Sequence, residues 1–143
     1  MAHYATTVRT PQSPSDAFAA MSDLTRFPEW DPGIAAAVRV RGEGPVVGAA
    51  YDLTLQGRNP MVLRYEVVEA DPPRQLKLVA QTRWLRSVDE IRVVPDGAGA
   101  RVTYDAVLTL NGPLAVFDVV LGLAFRRIGD RAAAGLRRFL NAA

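Results

Sequence analysis

The sequence predicts an α+β domain: a seven-stranded antiparallel sheet covered by one long C-terminal helix, with two short helices after the first strand. Three observations carry this prediction. Between Ala36 and Leu110 apolar residues recur with period two, the spacing of strands that bury one face. The segments with that period are separated by short runs of Gly, Pro, Asn and Asp, and such short loops join antiparallel neighbours. From Leu114 the period changes: Leu114, Phe117, Leu121, Ala124, Ile128, Ala132, Gly135 and Phe139 follow in steps of three and four, one face of a helix.

Tyr4 to Thr10 holds β-branched residues and reads as the first strand. Ser13-Pro14-Ser15-Asp16 then starts a helix. Ser13 caps it, Pro14 occupies the first turn, where its missing N–H is harmless, and Asp16 is placed to close a capping box. Ala17, Phe18, Ala20, Met21 and Leu24 supply its apolar side. A second helical piece over Leu24 to Trp30 is disturbed by Pro28 and ended by Asp31-Pro32-Gly33. Six strands follow, at Ala36 to Arg41, Ala49 to Gln56, Met61 to Ala70, Gln75 to Thr82, Ser87 to Val94 and Ala100 to Leu110. Turn residues separate all of them except at Arg83 and Trp84, where Gly and Pro are lacking. Asn111 and Gly112 lead into the last helix, with Pro113 at its first position. A sheet with one wet face must cover the other, and this helix is the only large cover available.

Composition narrows the class. One domain over residues 1–143 is expected, long enough for a substantial core. Hydrophobic residues at 49% and charged residues at 22% exclude a disordered chain. The net charge of +2 is too small for a nucleic-acid surface, although sixteen arginines against a single lysine, Lys77, raise the pI. No cysteine is present, which removes disulfides, thiolate chemistry and cysteine metal sites. His3 is the only histidine, so neither a metal cluster nor a histidine triad is expected. Gly42-Glu43-Gly44 lacks the pattern of a phosphate-cradling loop. The N-terminus has no signal-like apolar run, and Leu114 to Phe125, broken by Asp118, falls short of the roughly twenty residues that span a bilayer. A cytoplasmic protein without cofactor or metal is the expectation.

Alternation selects the inner face of the sheet. Tyr51, Leu53 and Leu55 share it, as do Leu63, Tyr65 and Val67, then Leu76 and Leu78. Asp89, Ile91 and Val93 share it on the next strand, and Val102, Tyr104, Ala106, Leu108 and Leu110 on the last.

Four phrases, taken in order, resemble one family. They are Phe27-Pro28-Glu29-Trp30, Glu69-Ala70-Asp71-Pro72-Pro73-Arg74, Gly99-Ala100-Arg101-Val102-Thr103-Tyr104, and Asn111-Gly112-Pro113. Together they resemble the polyketide cyclase/dehydrase branch of the START-like (SRPBCC) superfamily, across essentially the whole chain. The resemblance implies a helix-grip fold, in which the sheet curls round the C-terminal helix and leaves an apolar cavity between them. Members look like lipid or hormone carriers, aromatic polyketide cyclases, quinone-binding proteins or co-chaperone-like modules, so the scaffold alone does not decide the function.

Within such a cavity the candidate ligand-binding residues are Trp30, Tyr51, Leu53, Leu63, Tyr65, Leu78, Ile91, Tyr104, Ala106, Phe117, Leu121 and Ala124. Asp89 is the candidate for chemistry. Turned inward with Ile91, its carboxyl must be paired or neutralised, which suits a ligand anchor or a general acid/base. The alternative is a strand-end position in which Asp89 pairs with Arg83 or Arg86 near solvent. Tyr51, Tyr65 and Tyr104 either offer hydroxyls to a ligand oxygen or are satisfied core tyrosines. Trp84 either gates a cavity mouth or touches a surface, or it packs on its own hairpin.

Val116, Val119, Val120, Leu123 and Phe125 make the first half of the helix apolar beyond one stripe, so further cover is expected, from the same chain or from a second copy. Monomer and homodimer are both open. The functional expectation is binding of a hydrophobic small molecule: aromatic or polyketide-like, quinone, sterol or acyl. Its alternatives are a cyclase or dehydratase that uses Asp89 or a tyrosine as proton relay, and an interaction module with a filled core.

Overall fold

The computed structural model describes residues 1–58, 60–113 and 118–141, the side chains of 118–123 excepted. The chain runs β1 (Ala2–Thr10), α1 (Pro14–Ser22), a 3-10 helix (Leu24–Glu29), then β2 (Ile34–Arg41) and β3 (Ala50–Leu55). It continues with β4 (Val62–Asp71), β5 (Gln75–Gln81), β6 (Leu85–Asp96), β7 (Gly99–Leu110) and α2 (Asp118–Leu140). One antiparallel sheet holds the strands in the order β1-β7-β6-β5-β4-β3-β2. Each hairpin pairs consecutive strands, and β1 closes against β7 with Ala2 opposite Leu108 and Thr10 opposite Ala100. The architecture is the α+β helix-grip arrangement.

Local chemistry accounts for the boundaries. The Ser13 hydroxyl accepts the Asp16 amide at 3.1 Å and opens α1. Strand β6 runs past Val94 because Pro95 and Asp96 still face Ala100 and Gly99, and Gly97, at φ 62°, turns the chain. At the β5–β6 turn, which lacks Gly and Pro, the Thr82 hydroxyl accepts the amides of Trp84 and Leu85 at 3.3 and 3.2 Å. This is a side-chain substitute for turn residues.

The inner face of the sheet is covered from two sides. Helix α1 packs on β6 and β7, the 3-10 helix on β2, and α2 on β1. Helix α2 departs from expectation in rotation. Its described buried positions are Gly129, Ala133, Gly135, Leu136 and Leu140, whereas Ile128 is 50% exposed and Ala124 is exposed. The face toward the sheet is therefore centred about one residue further along than the apolar stripe indicates. Small residues set this rotation. A Cβ on Gly129 would lie 2.4 Å from the Tyr4 ring, and one on Gly135 would lie 1.8 Å from the Trp30 carbonyl oxygen. The helix end is tied to β1 and the segment after it: Thr10 Oγ1 and Gln12 Nε2 both donate to the Leu140 carbonyl, at 2.6 and 2.8 Å. Leu114 and Phe117 of the expected stripe, and the Leu121 side chain, lie outside the described residues. Among the described residues no helix is long and apolar enough to cross a membrane.

Candidate functional site

A cavity of about 400 Å³ lies between the inner face of the sheet and α2. Its sheet wall takes Leu63 and Tyr65 from β4, Ser87 and Asp89 from β6, and Tyr104, Ala106 and Leu108 from β7. Tyr4 and Thr6 of β1, and Trp30 and Asp31 after the 3-10 helix, extend that wall. The helix contributes Phe125, Ile128, Gly129, Ala132, Ala133 and Leu136. Three of these carry no side chain beyond a methyl group, which leaves volume under the helix while its backbone approaches β1 and Trp30 closely.

Sheet register assembles one polar cluster inside this apolar space. Asp89 stands opposite Ala106, and Ile91 stands opposite Tyr104, so Tyr104 is the diagonal neighbour of Asp89. The small Ala106 side chain leaves room for the Tyr104 hydroxyl to donate to Asp89 Oδ2. Ser87, two residues along the same face, donates to Asp89 Oδ1 at 3.0 Å. Tyr65 on β4 and Ser87 on β6 both face Ala80 of the intervening strand. The Tyr65 hydroxyl therefore spans β5 and donates to Ser87 Oγ at 3.0 Å. Asp89 and Ser87 are each 6% exposed, Tyr65 is buried, and Tyr104 is half-buried with its open surface on the cavity.

Burial pushes the Asp89 carboxyl up to about 6, against the Tyr104 and Ser87 hydrogen bonds that pull it down, and the charges of Asp31 and Asp105 add to the rise. The Tyr65 and Tyr104 hydroxyls are raised, first by burial and then by the Asp89 charge, and stay protonated. Asp31 is raised by burial too, although its Oδ1 accepts the Gly33 amide at 2.9 Å. The alternative in which Asp89 pairs with Arg83 or Arg86 at a strand end does not occur. Asp89 lies in the middle of β6 and its partners are hydroxyls.

An aromatic wall adjoins the cluster. Trp30 packs on Phe27 and Tyr104 at centroid distances of 4.8 and 5.4 Å, both crossed rather than stacked. Trp30 is 3% exposed, and its indole N–H is buried with no hydrogen-bond partner among the described residues.

Of the sequence candidates, the structure brings Trp30, Leu63, Tyr65, Asp89, Tyr104 and Ala106 to the cavity. Tyr51, Leu53, Leu78 and Ile91 point to the same face but are fully covered core residues and are not part of its lining. Alternation identifies a face and carries no information about depth beneath it. Ala124 is exposed and does not line the cavity, Phe117 lies outside the described residues, and so does the Leu121 side chain. Trp84 is 42% exposed on the β5–β6 turn, with the Arg83 guanidinium 4.8 Å above its ring and Gly112 beside it, away from the cavity.

Sequence reasoning missed Ser87, Tyr4, Asp31 and the small residues of α2. Ser87 was within reach, since it shares the alternation of Asp89. Asp31, in Asp31-Pro32-Gly33, reads as turn chemistry and carries no signal of its cavity position.

Comparison with known proteins agrees with the architecture. Residues 1–140 match the family described as polyketide cyclase / dehydrase and lipid transport. No curated protein matches the chain. Among solved structures, the di-domain ARO/CYC StfQ from the steffimycin biosynthetic pathway is similar over 98% of this chain and 49% of its own, at 16% identity and a TM-score of 0.75. The present chain thus spans about half of that protein. A START superfamily protein from Mycobacterium smegmatis is similar over 96% of both chains, at 17% identity and a TM-score of 0.76. A protein from Thermus thermophilus matches over 96% of both chains, at 14% identity and a TM-score of 0.77. At these identities the likeness is one of fold.

Proposed function

We propose a binding function for this chain, which belongs to the polyketide cyclase / dehydrase and lipid transport family: it holds an apolar small molecule between sheet and helix and orients it by one polar group. The observation that carries this reading is the cavity of about 400 Å³, apolar except at few points and furnished with the Asp89–Tyr104–Ser87–Tyr65 cluster. An apolar pocket with a few convergent polar groups is the common form of a small-molecule site. The apolar walls supply affinity by taking ligand surface out of water. The cluster supplies orientation, because a ligand group set against it must satisfy the buried oxygens it covers. A cavity of this size speaks against the reading as an interaction module with a filled core.

The reading is tested by titrating 1-naphthylmethanol into the protein by calorimetry, with Ala106→Trp as the comparison. Ala106 faces the cavity, so the indole fills it. The expected result is saturable binding to the parent protein and a loss of at least about tenfold in affinity in the variant, with its thermal unfolding still cooperative. Equal binding by both proteins would contradict the reading.

The Asp89–Tyr104 pair favours a second reading, in which the same cavity folds a poly-ketone chain and the carboxyl moves a proton during cyclisation or dehydration. A carboxyl pushed up to about 6 is suited to exchanging protons near neutrality. Poly-ketone turnover that Asp89→Asn abolishes separates this reading from simple binding.

A further inference from the structure

We propose that the preferred occupant of this cavity is an apolar amine, held as an ammonium ion against Asp89 and the aromatic rings beside it. The inference rests on the binding function above and specifies its ligand class.

The charges of the described cavity lining are of one sign. That lining holds two carboxyls, Asp31 and Asp89, and no arginine, lysine or histidine. Segment 114–123, whose side chains are not described, contains no basic residue. Among the described residues the partners of Asp89 are neutral, the hydroxyls of Tyr104 and Ser87. Hydroxyl donors lessen the desolvation of a buried carboxylate without cancelling its charge, and that deficit is what a bound cation removes.

The direction of the hydrogen bonds leads to the same ligand. Tyr65 donates to Ser87, and Ser87 and Tyr104 donate to Asp89, so every hydroxyl proton of the cluster is spent inside it. With Asp89 ionised, the cluster offers a ligand acceptors alone. The cluster itself takes N–H or O–H donors and gives no proton to a carboxylate or ketone oxygen. Beyond it the described lining holds the unpartnered Trp30 indole N–H, Thr6 and Gln56. The aromatic lining favours a cation over a neutral donor. Trp30, Tyr65 and Tyr104 line the cavity around Asp89, and ring faces attract ammonium groups most strongly when the site is desolvated. Fatty acids and other anionic lipids meet two carboxyls and no counter-charge among the described lining residues.

Among the described lining residues the titratable groups are Tyr4 from β1, Asp31 after the 3-10 helix, Tyr65 from β4, Asp89 from β6 and Tyr104 from β7. The described lining residues of α2 carry none. The three tyrosine hydroxyls are raised and remain neutral, so within the described lining acid acts on the two carboxyls. Behind it stand two further carboxyls: Asp105 of β7, whose charge reaches Asp89, and Asp130 of α2, which accepts from the Tyr4 hydroxyl.

The test compares three probes of one shape on the intact protein: 1-naphthylmethylamine, 1-naphthylmethanol and 1-naphthoate, by calorimetry at pH 7.5. The amine is expected to bind at least about tenfold more tightly than the alcohol, and the naphthoate at least about tenfold more weakly. The advantage of amine over alcohol should shrink as pH falls from 7.5 to 5, and should be lost in Asp89→Asn. Asp31→Asn, at a half-buried position, serves as the second variant and should reduce the advantage. An amine that binds no better than a bound alcohol overturns the inference and leaves the binding function standing. If none of the three binds, both fall. An advantage that persists in both variants and at pH 5 also overturns the inference.

Discussion

Burying the Asp89 carboxyl beside two hydroxyls ties the stability of the protein to pH in an unusual direction. A carboxylate paired with arginine has a lowered pKa and stabilises the fold above it, whereas Asp89 is raised to about 6 from an ordinary 3.8. Below the lower value it is protonated in both folded and unfolded chains. As pH rises toward 6 the unfolded chain releases the proton and the folded chain keeps it, so stability falls through that window. Above 6 the full difference is present, about 3 kcal/mol for a shift of this size. Asp89→Asn has no such proton. Denaturant unfolding of both proteins from pH 4 to 7 should show the parent losing about 2 kcal/mol relative to the variant, the rest of the difference having been lost below pH 4. Parallel curves would mean that Asp89 has an ordinary pKa. Asp89 was legible in the sequence because period two turned a charged residue inward with Ile91. The choice between a cavity anchor and a strand-end ion pair was not, since it depends on how far β6 extends beyond the alternating run. The diagonal contact to Tyr104 and the reach of Tyr65 over Ala80 depend on register, which one strand's pattern does not contain.

Among the elements, α2 shows what hydrophobic periodicity detects and what it overlooks. A stripe of Ile128, Ala132, Gly135 and Phe139 locates the helix and gives its approximate face. The true contact surface is weighted toward Gly129, Ala133, Leu136 and Leu140, and Gly129 scores as nothing on a hydrophobic scale although it lets the helix approach the Tyr4 ring. At Gly135 the neighbour is backbone, the carbonyl of Trp30, which cannot rotate aside. On an exposed helix surface Gly→Ala stabilises by up to about 1 kcal/mol. Here Gly135→Ala should instead destabilise by about 2 kcal/mol or more, because the methyl group must push the helix or the Trp30 segment away. Thermal or denaturant unfolding decides the sign, and a stabilised variant would mean that α2 does not press on Trp30. The same displacement would move Trp30, so the helix contact also fixes the aromatic wall of the cavity.

At the scale of the molecule, the order of elements and the antiparallel sheet were readable from turn chemistry and the change of period near Leu110. Those features are local, and the family phrases add the curl of sheet round helix. The cavity was expected as a consequence of that curl, but its position was not readable. It depends on which inward residues are covered by neighbours, as Leu53 and Ile91 are, and which stay open under the small residues of α2. Exposed valines on the other side of the sheet, Val38, Val62 and Val68 among them, offer a competing apolar surface where a greasy probe can adsorb. The most direct measurement of the central claim is therefore an isotope-filtered NOE experiment on the labelled protein with unlabelled 1-naphthylmethanol. Contacts are expected from the naphthalene protons to the methyl groups of Leu63, Ala106 and Ala133, which line the cavity. Contacts confined to Val38, Val62 and Val68, with none to those three residues, would contradict that claim.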